Sequence, residues 1–167
     1  MKKSLNNVCH VIRAGLIVPL FFGVISMSQA VAQDSSAIET EADEVRTSCY
    51  STNYLRSEID CECLATTFAE KRLELGPDQG KEGIIASITR TVKCLNFPSL
   101  QRQEYAQCIS KVSSEDTNGI ELEQYCQCQS RKMVETLAQH KGKYGASVKG
   151  SASFGATMYC RKKEAYP

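Results

Sequence analysis

The feature that most constrains how this chain folds is the placement of its cysteines. Eight of its nine cysteines stand in two like-ordered sets: Cys49, Cys61, Cys63 and Cys94, then Cys108, Cys126, Cys128 and Cys160. Each set reads C…C-x-C…C. The C-x-C pairs are offset by 65 residues and the last cysteines by 66. The first cysteines are offset by only 59, so the segment before the second C-x-C is the longer one. A second echo lies between the same cysteines, Gly80-Lys81-Glu82-Gly83 in one half and Gly142-Lys143-Tyr144-Gly145 in the other. The pattern points to a duplicated small unit, with Pro98 at the junction. Two copies fall short of a solenoid, which needs roughly three or more units.

The ninth cysteine belongs to a different part of the chain. Lys2, Lys3 and Arg13 precede an apolar run from Ala14 to Met27, and Ser28-Gln29-Ala30-Val31-Ala32 follows it. This is the order of a secretory signal: a basic start, an apolar stretch and a small-residue cleavage site. The run is short for a membrane span, which takes roughly 20 apolar residues. Cleavage fits after Ala30 or Ala32, and Ala30-x-Ala32 is the better match. Cys9 stands before the apolar run, so it is not placed for lipid attachment at the leader's end. Removal of residues 1–32 takes Cys9 and His10 away and leaves 135 residues with eight cysteines, 17 basic and 19 acidic side chains. The expected organisation is therefore a signal peptide over 1–32, a first repeat over 33–98 and a second over 99–167.

An exported chain meets oxidising conditions, and an even cysteine count there reads as a disulfide framework. The expected bridges use Cys49, Cys61, Cys63, Cys94, Cys108, Cys126, Cys128 and Cys160 as structural disulfide cysteines. The expected location is the periplasm or exterior of a bacterium: the leader is of that kind, and the sequence has no Asn-x-Ser/Thr acceptor. No stable membrane span is expected once the leader is removed.

The fold expected is all-α, two tandem disulfide-stapled helical units in one small domain. Strand-like alternation is nearly absent, and helix formers dominate. The spacing predicts helices over 36–54, 57–75, 82–95, 99–112, 119–140 and 145–163. In 82–95, Ile84, Ile85, Ile88, Val92 and Leu95 form an amphipathic stripe. In 145–163 the glycines weaken the helix, each by roughly 1 kcal/mol against Ala. Its small residues would allow close packing instead.

Residues i and i+2 of a helix point about 200° apart. A bond between the two members of one C-x-C is therefore geometrically poor. Each pair instead suits a central helix stapled to the helix before it and to the helix after it. Two connectivities per repeat remain: Cys49 to Cys61 or to Cys63, with the other member joined to Cys94, and likewise in the second half. Each bridge would add roughly 2–4 kcal/mol. That matters in a chain with no Trp to fill a core.

Two chemical uses of C-x-C compete with the structural one. A thiolate pair could exchange disulfides, or two pairs could meet as a four-thiolate zinc site or hold copper(I). The matched outer cysteines make staples the simpler explanation, and no cofactor is expected. His140 lies at a predicted helix end and has no second histidine for a relay once the leader is gone. The carboxylate pairs Asp60/Glu62 and Glu121/Glu123 sit at i, i+2 and do not converge from one helix. Gly80-Lys81-Glu82-Gly83 lacks phosphate-loop spacing and reads as a helix–helix turn. Near-zero net charge gives no footprint of a nucleic-acid binder.

The acidic start (Asp34, Glu39, Glu41, Asp43, Glu44) and the basic end (Arg161, Lys162, Lys163) read as solvated tails. The basic run alone is too short to imply binding to an anionic membrane. Seven tyrosines with no tryptophan is a mildly interface-like composition; Tyr50, Tyr54, Tyr125 and Tyr159 lie near cysteines, so packing against disulfides accounts for them equally well. No catalytic set is visible. The expected function is a non-enzymatic exported protein that binds another protein, as an accessory subunit of an envelope complex or as an inhibitor or immunity protein. The alternative is a periplasmic thiol-redox or metal-handling protein using a C-x-C pair.

Overall fold

The computed structural model describes residues 35–162 and Tyr166. The expected signal peptide and Lys163 lie outside the described residues. Helices account for most of the described residues: α1 (Ser35–Ser51), α2 (Asn53–Glu58), α3 (Cys61–Leu75), α4 (Lys81–Thr89), α5 (Phe97–Lys111), a 3-10 turn (Ser114–Thr117), α6 (Leu122–Ala138) and α7 (Ala146–Cys160). Among the described residues the only extended pairing is an isolated antiparallel bridge between Ile59 and Leu95.

Three helix boundaries differ from the sequence expectation, and side-chain chemistry accounts for them. The expected helix 36–54 breaks at Thr52. There the hydroxyls of Ser51 and Thr52 both donate to the Ser48 carbonyl, at 2.9 and 3.0 Å, and compete with the helical ladder. The helix expected from 57 begins at Cys61, because Ile59 is extended and Asp60 caps the first turn by accepting from the Cys63 amide at 3.0 Å. The stripe expected over 82–95 ends early. Thr89 and Thr91 donate to the carbonyls of Ile85 and Ile88, and α4 stops at Thr89. Val92 and Leu95 fall outside it. Leu95 packs instead through the short bridge, flanked by Asp60 N–H to Cys94 carbonyl and Asn96 N–H to Glu58 carbonyl, both 2.8 Å.

In the packing, α1 lies along α3, α4 against α3, and α6 between α5 and α7. One core runs through both halves. Val45, Leu64, Phe68, Ile84 and Ile88 meet Leu100, Met133, Leu137, Ala152 and Ala156, all buried. Full burial of such aliphatic and aromatic side chains is worth roughly 1.5–3 kcal/mol each. Pro98, expected at a junction, sits in the first turn of α5, where its missing N–H costs no helical bond.

In α7 the alanines do the close packing. Ala152 and Ala156 are buried, whereas a Cβ at Gly150 or Gly155 would meet nothing within 4 Å. The close packing expected of this helix's small residues is thus made by its alanines and not by its glycines. Of the acidic start, Asp34 lies outside the described residues, and the rest is helix and not tail. Glu41, Asp43 and Glu44 lie on α1 and pair with Arg72, Arg46 and Lys81.

A candidate binding face on a disulfide frame

The eight cysteines among the described residues form four bridges: Cys49–Cys61, Cys63–Cys94, Cys108–Cys126 and Cys128–Cys160, with Cα separations of 5.7, 5.4, 5.6 and 5.9 Å. Of the two connectivities left open, each half adopts the one in which the first C-x-C member bonds backwards and the second forwards. Cys126 thus ties α6 to α5, and Cys128 ties α6 to α7. The six extra residues between Cys108 and Cys126 (separation 18, against 12 in the first half) are spent on the 3-10 turn and the first turn of α6.

Seven of these cysteines are buried, and Cys63 alone is partly exposed. With every one of these sulfurs in a bridge, neither C-x-C pair presents a thiolate. Among the described residues no three His, Cys, Asp or Glu side chains converge as a metal site.

The other residues singled out in the sequence have local roles. Asp60 and Glu121 are N-caps of α3 and α6; Glu121 accepts from the Gln124 amide at 2.9 Å. Glu62 accepts from Arg46 at 2.9 Å and from Tyr50 at 3.2 Å. His140 is half-buried beside a shallow groove that also touches Thr136, Ser147 and Ser151. Gly80 is the N-cap of α4 and Gly145 that of α7, so the two G-K-x-G segments open corresponding helices out of step by three residues. Of the four cysteine-adjacent tyrosines, only Tyr125 packs into the cystine cluster. Tyr50, Tyr54 and Tyr159 are exposed, so disulfide packing does not account for them.

The side chains the helices bring together are others. A groove of about 850 Å3 lies between α5 and α6. Pro98, Gln101, Arg102 and Tyr105 line one wall, and Gln127, Ser130 and Arg131 the other. Its walls are held by the Cys108–Cys126 bridge and by a polar layer beneath. The Glu104 carboxylate, 9% exposed, accepts from Gln129 Nε2 at 3.1 Å and from Ser153 Oγ, joining α5, α6 and α7. Arg131 is 3.9 Å from Glu135, and Arg102 makes no ion pair among the described residues.

Charge is unevenly distributed along the chain. From residue 35 to 97 there are 11 acidic and seven basic side chains; from 98 to 162 there are six acidic and nine basic. The groove thus lies in the basic half.

A second cavity, of about 450 Å3, lies between α2 and the start of α7. Glu58 accepts there from Lys149 Nζ at 2.6 Å and from the Tyr54 hydroxyl at 3.0 Å. The Tyr144 hydroxyl, also lining it, is buried with no hydrogen-bond partner among the described residues. Burial first, and then the Glu58 carboxylate and Tyr54, push the Tyr144 phenol up to about 12. A raised phenol favours the protonated folded form. Its contribution is complete below the ordinary value near 10 and is lost as pH rises from there towards 12. Tyr144→Phe should therefore flatten the loss of stability between pH 10 and pH 12 relative to the parent. It should also raise stability at neutral pH by up to about 1 kcal/mol, by removing an unpartnered hydroxyl. Urea midpoints across that range test this, and equal alkaline slopes in parent and variant would refute it.

No protein-family model matches the chain, and neither a curated protein nor a solved structure is similar to it at significance.

Proposed function

We propose that this chain is a non-enzymatic exported binding protein. In this reading it is a disulfide-fixed helical scaffold that offers the α5–α6 groove to an acidic segment of a protein partner. The partner would be the body of an envelope complex, with this chain as accessory subunit, or an exported enzyme that the chain inhibits.

The observation that supports this most is the groove itself. Two arginines and two glutamine amides converge on it beside a half-buried tyrosine, on walls tied by a disulfide and a buried polar layer. Guanidinium groups take carboxylates in a bidentate fork, and Arg and Tyr recur as anchors of binding energy. A wall already held rigid loses little freedom on binding, so more of the contact energy appears as affinity. The duplicated cysteine framework and the leader support export and stapling, and the compartment proposed is the bacterial periplasm or exterior.

The test is capture from the native envelope fraction with a photo-crosslinking residue at Gln101 or Gln127. One recurrent adduct is expected, weakened at least about tenfold by Arg102→Glu with Arg131→Glu, since each close charge pair lost at an interface costs upwards of about 1.5 kcal/mol. A recurrent adduct indifferent to both reversals, or none at all, would count against the groove.

A further inference from the structure

The outer face of α7 is unlike any other helix surface here. Between Ala146 and Cys160 the only charged residue is Lys149, and it is spent on Glu58. Ala152, Ala156 and Cys160 turn inward and are buried. On the opposite stripe, Ser147, Ser151, Phe154 and Met158 recur at i, i+4, i+7 and i+11, a single helix face. Phe154 is 68% exposed and Met158 49%, with Tyr159 beside them at 44%. Side chains so exposed stand proud of the surface instead of lining a groove.

Cations flank this helix at both of its ends. Lys141 and Lys143 lie in the loop entering α7, and Arg161 and Lys162 follow its last residue. Lys132 of α6 sits over the Tyr159 ring at 4.9 Å. Of the seven basic residues from Gln124 to Lys162, Arg131 lines the α5–α6 groove and Lys149 is paired with Glu58, which leaves five; the single acid there, Glu135, pairs with Arg131 and Lys132. Asp116 is the acidic neighbour of Arg161 at the far end.

We propose that this ridge docks the protein peripherally on an anionic lipid surface, with Phe154 and Met158 entering the headgroup boundary and the flanking lysines and arginines facing lipid phosphates. An apolar helix face bordered by cations is the arrangement that lies in a membrane interface. Each nearby Lys or Arg strengthens such binding about fivefold. A protruding, cation-flanked apolar ridge suits a soft anionic surface better than it suits a pre-shaped protein pocket. Docking of this kind needs no spanning helix, and among the described residues no helix is long and apolar enough to cross a membrane. The proposal draws on export for its setting and is independent of the α5–α6 groove.

The chain has no tryptophan, so Phe154→Trp places a single reporter on the ridge. The probe is vesicles of phosphatidylglycerol and phosphatidylethanolamine, with pure phosphatidylcholine as control. The protein is used as it accumulates after export, its mass recording whether residues 1–32 remain. With anionic vesicles at low salt, the indole emission of the Phe154→Trp variant should move to shorter wavelength and be quenched by brominated lipid. With phosphatidylcholine neither should occur. Phe154→Ser should weaken sedimentation with the vesicles about tenfold, and Lys141→Gln with Lys143→Gln about thirtyfold. All three positions are exposed, so far-UV circular dichroism should match the parent. Emission unmoved by anionic vesicles, or vesicle binding equal in the parent, the serine variant and the glutamine pair, would overturn the proposal. A partner protein that shifts the indole emission when vesicles do not would also overturn it and reassign the ridge. The vesicle assay contains no protein partner, so its failure leaves the groove untouched.

Discussion

Removing the Cys128–Cys160 bridge as a Cys128→Ala, Cys160→Ala pair should lower unfolding stability by about 4 kcal/mol, the largest loss expected from any bridge. The two cysteines are 32 residues apart, so an uncrosslinked chain regains the freedom of a long loop. Both are buried, at 3% and 0% exposure, inside the cluster of Cys108, Tyr125 and Cys126. Truncation to alanine therefore also removes packed sulfur. The Cys63–Cys94 bridge is the matched control. Its separation is 31, so the loop contribution is nearly equal, but Cys63 is partly exposed and its truncation leaves less of a void. Non-reducing urea unfolding should rank the Cys128/Cys160 pair below the Cys63/Cys94 pair, and both well below the parent. Losses under about 1 kcal/mol in both would mean that the bridges only decorate a fold standing on its core.

Arg72→Ala should cost about 3 kcal/mol, more than any other single surface-to-core charge in the described chain. Its side chain is only 4% exposed. The Nε donates to Glu41 of α1 at 2.6 Å. Nη1 donates to the carbonyls of Gly76 and Gln79 at 3.2 and 2.5 Å, and the guanidinium lies 5.4 Å over the Phe68 ring. One fork thus closes the C-terminal end of α3, holds the turn leading to α4 and pins α1. Truncation leaves two carbonyls without their donor and a carboxylate without its partner. Arg72→Lys keeps the charge but not the planar fork, and should recover less than half of the loss. Thermal or urea unfolding of the two variants measures this. Equal stabilities for Arg72→Lys and the parent would show that charge alone matters there.

Arg72 is only partly legible in the sequence. Leu64, Phe68 and Arg72 are at i, i+4 and i+8 on α3, so an arginine continues an apolar stripe. That interruption is a legible sign of a buried, multiply bonded cation. The carbonyls it serves are not legible, because they belong to a turn closed by Gly76, whose φ of 79° favours glycine. The α5–α6 groove was harder still. Arg102, Tyr105 and Arg131 carry no motif. Their meeting depends on how α5 and α6 cross, which Cys108–Cys126 and the Glu104–Gln129 bond settle together. The ridge of α7 lay in plain view as Ser147, Ser151, Phe154 and Met158, but its apolar character matched that of a buried face. Only the neighbours show that Ala152 and Ala156 took the core and left Phe154 outside.

By itself, the sequence determines the helical class and the pairing of the cysteines down to two arrangements per half. These follow from local physics: the 3.6-residue period and the 200° between i and i+2. Tertiary structure decided which cysteine of each C-x-C turns back. It brought Leu95 across to Ile59, and it chose which stripe of α7 is covered. Each of those choices rests on contacts between residues far apart in the chain. Their free energy comes from burial and pairing across elements, and no local spacing encodes which elements meet.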